Sequence, residues 1–228
     1  MKKAEEIISE LKKHADKGYR KRAKGFGINV DNLLGVPKQM LVKIAKKSGK
    51  DQQLALYLWK SKLTEAKIVA AMIAEPEKMT EKQMESWVED IDSWDVGDHV
   101  VGTLFRKTDI AKKKIHEWSK SEKEFVKRAG YVMIAELAVH SKELEDKEFE
   151  YYLKLIRKGA DDRRNFVKKS VNWSLRQIGK RNVRLNQKAI EMAHEILKDE
   201  KSVKWIARDA LRELKSKEVQ RRLKKSGR

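Results

Sequence analysis

The chain has 228 residues, 40% hydrophobic and 39% charged, which gives enough apolar material for a folded core and argues against disorder. Its 54 Lys and Arg against 35 Asp and Glu leave a net charge of +19, so a polyanion is the default partner. There is no cysteine, which excludes disulfides, thiol catalysis and cysteine metal sites. No 18-residue apolar run offers a membrane span, and no long amphipathic basic helix offers a membrane-surface anchor. The opening Met1-Lys2-Lys3-Ala4-Glu5-Glu6 places acids where a signal peptide needs apolar residues, so the expectation is a soluble, cytoplasmic protein.

In chain order, residues 2–17 have the pattern of an amphipathic helix with Ile7, Ile8 and Leu11 inward and Gly18 placed to end it. Gly18 to Gly35 reads as irregular and basic, with a turn at Gly25-Phe26-Gly27-Ile28-Asn29. Pro37 opens a helix that closes near Gly49. Helices are predicted at about 51–60, 64–74, 80–90, 93–107, 110–118, 122–140, 146–158, 162–180, 186–198 and 201–214. Thr64 and Thr80 are suitable N-caps, the latter with Gln83 completing a capping box. Alternating strand patterns are absent, so the fold class is all-α.

The second half repeats itself. Val126, Val167 and Val203 open similar helices, and apolar residues follow each at +8 (Ile134, Leu175, Leu211) and +11 (Leu137, Ile178, Leu214). Helix pairs recurring at about 40 residues signal a HEAT-like solenoid, here with a basic concave surface. The chain then reads as one continuous domain. Residues 1–35 form an N-terminal helix and basic entry, 36–214 the helix-pair repeats and 215–228 a basic end. The run Arg221-Arg222-Leu223-Lys224-Lys225 reads as a frayed, solvated helix end.

Two helices carry unusual faces. Asp92 or Ser93 serves as N-cap for a helix on which Trp94, Asp98, Val101 and Phe105 fall at i, i+4, i+7 and i+11. One carboxylate thus stands in an apolar, aromatic line, and burying it without a partner costs several kcal/mol. The plain alternatives are a backbone amide or an arginine as its partner, with Trp94 a core residue. On the helix from Phe166 to Lys180, Lys169, Trp173, Arg176 and Lys180 form a second such line, three cations around one indole. That pattern suits a phosphodiester backbone with exposed sugars or bases, against the alternative of a solvated face. Arg128 and Tyr131 occupy the corresponding edge one repeat earlier. The five histidines show no ligand pairing and there is no phosphate-binding loop, so neither metal nor cofactor is expected.

Four pieces in order, Gly35-Val36-Pro37, Ser93-Trp94-Asp95-x-x-Asp98, Glu124-Phe125-Val126-Lys127-Arg128-Ala129 and Asn172-Trp173-Ser174-Leu175-Arg176, resemble the DNA alkylation repair family, the AlkD-like alkylpurine DNA glycosylases built from HEAT-like repeats. The resemblance runs from about Phe26 to Leu214. It implies that Asp98 is catalytic, that Trp94 and Trp173 pack on the deoxyribose, and that Arg128 meets the DNA backbone. By their stripe and edge positions, and not by the resemblance, Lys169, Arg176, Lys180 and Tyr131 are expected to add contacts to DNA. Phe26 stands where well-known members have a tyrosine, keeping the ring and losing the hydroxyl. The expected activity is excision of cationic N3- or N7-alkylated purines (3-methyladenine, 7-methylguanine) from duplex DNA by a monomer. The alternative is a non-catalytic HEAT-repeat module binding duplex or branched nucleic acid, and a third reading is a scaffold for acidic protein partners.

Overall fold

The computed structural model describes residues 2–225, and every regular element among them is helical. The α-helices are α1 (Lys2–Lys13), α2 (Lys17–Gly25), α3 (Lys38–Ser48), α4 (Gln52–Trp59), α5 (Thr64–Ile73), α6 (Glu81–Glu89) and α7 (Trp94–Thr103), followed by α8 (Ala111–Trp118), α9 (Glu124–His140), α10 (Asp146–Gly159), α11 (Asn165–Gly179), α12 (Val183–Lys198), α13 (Lys204–Leu214) and α14 (Lys217–Lys225). None of these is long and apolar enough to cross a membrane. The chain forms two compact units that divide between Ala111 and Lys112, where the sequence reads as one continuous domain.

In the first unit α5 packs against α3, α4 and α7. It can do so because it is apolar nearly all round, with Ala66, Ile68, Val69, Ala70, Ala71 and Ile73 all buried. Its one buried acid has a specific task. Glu65, 1% exposed, accepts hydrogen bonds from the amides of Leu34 (3.0 Å), Gly35 (2.6 Å) and Val36 (3.1 Å). The Gly-Val-Pro segment is therefore held by a carboxylate on α5, which satisfies amides that would otherwise be buried without partners. Gly35 is required there. Its φ is +88°, and a Cβ would come within 2.3 Å of the Asp16 carbonyl oxygen. Behind this, Trp59 and Trp87 stack in parallel at 4.0 Å, and Lys67 lies over the Trp59 ring.

Two predicted features of this unit change. Gly18 does not end α1; α1 stops at Lys13 and a separate helix, α2, runs through the stretch read as irregular. Asp16 caps it by accepting from the amides of Gly18 and Tyr19. Only Ala23 of α2 is buried, so the helix leaves no periodic apolar signature. Thr64 begins α5 but caps nothing with its side chain, whereas Thr80 and Gln83 form the expected capping box on α6.

In the second unit α11 packs between α9 and α13 and also touches α10 and α12, the helix-pair arrangement expected from the repeat. Ile134, Leu137, Leu175, Ile178 and Leu214 are buried as the +8 and +11 positions require. Leu211 is only half-buried, because α13 turns Ile206, Ala207 and Ala210 inward instead. Polar bonds fix how α9 meets α11. Glu124 accepts from the Phe166 amide (3.3 Å), Arg128 donates to the Phe166 carbonyl (2.8 Å), and Lys127 pairs with Asp162 (3.0 Å). At the other end of α9, Arg181 donates to the carbonyls of Ala138, Ser141 and Leu144 while lying over the Phe149 ring. The basic run near the C-terminus lies in α14, where Val219 and Leu223 are buried and Arg221, Arg222, Lys224 and Lys225 are exposed.

Candidate active site

Helix α7 begins at Trp94, with Ser93 in the N-cap position, but its N-terminus is organised by a side-chain relay and not by a simple cap. The Ser93 hydroxyl donates to Asp95 Oδ1 (2.7 Å) and accepts from the Asn29 amide (3.3 Å), while Asn29 Nδ2 donates to Asp92 (2.7 Å). These bonds tie α7 to the segment after α2. Trp94 strengthens the tie: its indole, half-buried against Ala23, Ile28 and Leu33, donates Nε1–H to the Phe26 carbonyl at 3.1 Å. The Phe26 ring itself is 72% exposed. Asp98 follows Trp94 by one turn and is half-buried. His99, the next residue, bonds through Nδ1 to the Asp95 carbonyl (2.8 Å). A carbonyl can only accept, so Nδ1 carries a proton.

The predicted face is shorter than its spacing suggested. Val101 is fully buried, and Leu104 leaves the helical region (φ −123°, ψ −66°), so Phe105 starts a 3-10 turn and sits in the core. Trp94 and Asp98 remain the accessible pair.

On α11 the structure separates the four predicted residues by environment. Lys169 is exposed and Trp173 half-buried. Arg176 is bonded to Glu213 and lies 3.8 Å from Asp209, and Lys180 donates to Glu213 at 2.6 Å. Burial opposes ionisation of Glu213, but the bonds from Lys180 and Arg176 outweigh it and hold that carboxyl below the usual range. Two of the three cations are thus committed to acids on α13. Asn172 reinforces the link by donating to the Ile206 carbonyl (2.9 Å).

Arg128 and Tyr131, predicted at a DNA-facing edge, sit in the core. Arg128 is 7% exposed and holds the Phe166 carbonyl; Tyr131 is 1% exposed and donates to the Leu155 carbonyl (3.2 Å). Burial pushes the Tyr131 phenol well above its ordinary pKa. Gly159 makes room for that ring, since a Cβ there would lie 2.0 Å from the Tyr131 oxygen. The reason for the discrepancy is that α9 is enclosed on nearly every side. Sequence reasoning also missed Glu65 and Asn29. A lone acid in the apolar stretch 64–74 was the available signal for the first; the second left none.

A family model described as DNA alkylation repair enzyme matches residues 7–214. The chain belongs to this family. Among solved structures, one described as "A new family of proteins related to the HEAT-like repeat DNA glycosylases with affinity for branched DNA structures" has the same fold, with a TM-score of 0.79 and 22% sequence identity over 96% of this chain and 95% of that one. The described residues are thus all-α with a HEAT-like repeat fold. Comparison with curated proteins gives no match.

Proposed function

We propose that this member of the DNA alkylation repair family is a DNA glycosylase that removes cationic N3- or N7-alkylated purines from duplex DNA. The observation that carries this reading is the pairing of Trp94 and Asp98 on α7, half-buried one turn apart and held by the bonds at the helix start. An alkylated purine is already a competent leaving group, so no strong general acid is needed. The requirement is to stabilise an oxocarbenium-like sugar and to orient water. A half-buried carboxylate meets it electrostatically, and the indole face of Trp94 would add about 0.5–2 kcal/mol of attraction to a developing cation. On α11, Trp173 is assigned a stacking contact with DNA and Lys169 a phosphate contact. Arg176 and Lys180 reach DNA only while sharing their charge with Glu213, and Phe26 offers a bare ring. The net charge of +19 supplies the long-range attraction to DNA.

The deciding experiment is release of methylated base from alkylated genomic DNA by wild type and Asp98→Asn. The expected result is release by wild type and a drop of about 10²–10³-fold in the variant, with duplex affinity kept. Equal, uncatalysed release by both would overturn the reading. A second reading, a non-catalytic module for branched DNA, draws on the description of the structurally similar protein. Wild type that never releases base yet prefers a junction over duplex would favour it.

A further inference from the structure

In the second unit α11 and α13 run side by side in the same direction, since Asn172 meets the Ile206 carbonyl, Arg176 meets Asp209 and Glu213, and Lys180 meets Glu213. The side of α13 that carries Asp209 and Glu213 therefore adjoins the Lys169–Trp173–Arg176–Lys180 line of α11. Trp205 stands on that side, one turn before Asp209, with Arg208 at i+3 and Arg212 at i+7. Core packing does not account for it. Helix α13 buries Ile206, Ala207, Ala210 and Leu214, while Trp205 is 43% exposed, alone among the tryptophans. A single wet apolar side chain signals nothing by itself. This one is bordered by cations. The Arg208 side chain is exposed, with no ion pair or hydrogen bond among the described residues, and Arg212 is exposed while sharing Asp209 with Arg176. Arg176, Lys180 and Arg212 already match the two acids, which leaves Arg208 on α13 and Lys169 on α11 uncommitted.

We propose that this edge of α13 is a docking strip for an unpaired DNA strand, with one base stacked on Trp205 and the flanking phosphates at Arg208 and Arg212. The inference rests on the nucleic-acid reading above and extends it to a helix that neither the sequence motifs nor the Trp94–Asp98 pair includes. The chemistry selects the occupant. An exposed indole face offers little to a paired duplex, whose bases are covered by their neighbours in the stack. Every unpaired base has a free π-face, and guanidiniums beside the indole answer the charge of the strand on either side of it. The platform is open, so the base lies against the surface of the helix and is not enclosed. An acidic protein surface would engage the arginines and leave the indole unused.

The test uses the full chain with a blunt duplex and with the same duplex extended by a short adenine overhang that carries 2-aminopurine. Wild type should bind the overhang duplex about tenfold more tightly than the blunt one, the worth of stacking one base, and should quench the 2-aminopurine emission. Trp205→Ala should erase most of the preference and of the quenching, whereas Trp205→Phe, which keeps a ring, should retain part of both. Arg208→Ala should lower the slope of log K against log salt for the overhang by about 0.7. Both side chains are exposed, so the variants should unfold in urea at the wild-type midpoint. Wild type without an overhang preference, or folded Trp205→Ala that keeps both preference and quenching, overturns the proposal. Base release is read separately. Release without overhang preference removes only the α13 strip, and overhang preference without release removes only the glycosylase reading.

Discussion

Trp94 donates its indole N–H to the carbonyl of Phe26, so the tryptophan assigned to the sugar also holds the loop that presents an exposed phenylalanine. The two roles separate in Trp94→Phe, which keeps a ring and deletes the donor. A loss of about 1 kcal/mol in stability is expected, the usual worth of one such bond. Amide exchange at Gly27 and Ile28, which bond back to Lys24 and Ala23, should accelerate. Exchange as slow as in wild type would show that the bond restrains nothing.

The carboxylate of Glu65 serves three amides at once, so its removal should be among the most damaging single changes in the first unit. Glu65→Ala leaves three N–H groups unanswered at about 1–3 kcal/mol each, and a total of at least about 3 kcal/mol is expected in urea unfolding. Gly35→Ala should destabilise independently, because the added carbon meets the Asp16 carbonyl and φ is positive. A Glu65→Ala midpoint near that of wild type would refute the assignment.

Arg128 and Lys169 should part company in a salt titration. Lys169→Ala removes an exposed cation and should lower the slope of log K against log salt by about 0.9. Arg128→Ala should leave that slope where it was and instead cost about 2–3 kcal/mol of stability, because the guanidinium bonds the Phe166 carbonyl from a buried position. The reverse pattern would restore Arg128 to the DNA contact that its motif implies.

Acid should loosen the second unit through Asp162. Burial raises the pKa of this carboxyl, but bonds from Arg164 and Lys127 overcome that and hold it at about 2, below its ordinary 3.8. A depressed folded pKa contributes stability that is fully present above about pH 4 and is lost as pH falls toward 2. The contribution is about 1–2 kcal/mol after allowance for solvent screening. Asp162→Asn should lower stability at pH 7 and flatten its dependence between pH 4 and 2, measured by urea unfolding at each pH. A dependence as steep as that of wild type would exclude Asp162 as the source.

How much of this was visible in the residues depends on what each element packs against. Amphipathic helices such as α6 and α11 announce themselves, because one face is wet and the apolar period survives. Helix α2 does not, since eight of its nine residues escape burial and a cap at Asp16 does the work of a core. Helix α9 fails in the opposite sense. With burial on nearly all sides its period cannot say which edge meets solvent, so register misplaces Tyr131, and register and the family motif together misplace Arg128. The Trp94–Asp98 pair was legible from i, i+4 spacing, but the helix break at Leu104 that removes Phe105 from the same line was not.

The clasp on Phe166 has one more consequence. Because Glu124 takes its amide and Arg128 its carbonyl, α9 and α11 are indexed by directional bonds, not by grease alone. Adding a single residue between 124 and 128 would swing one partner about 100° off target. An extra residue in a connecting loop leaves both bonds to Phe166 in reach, whereas one inserted within that turn breaks the clasp.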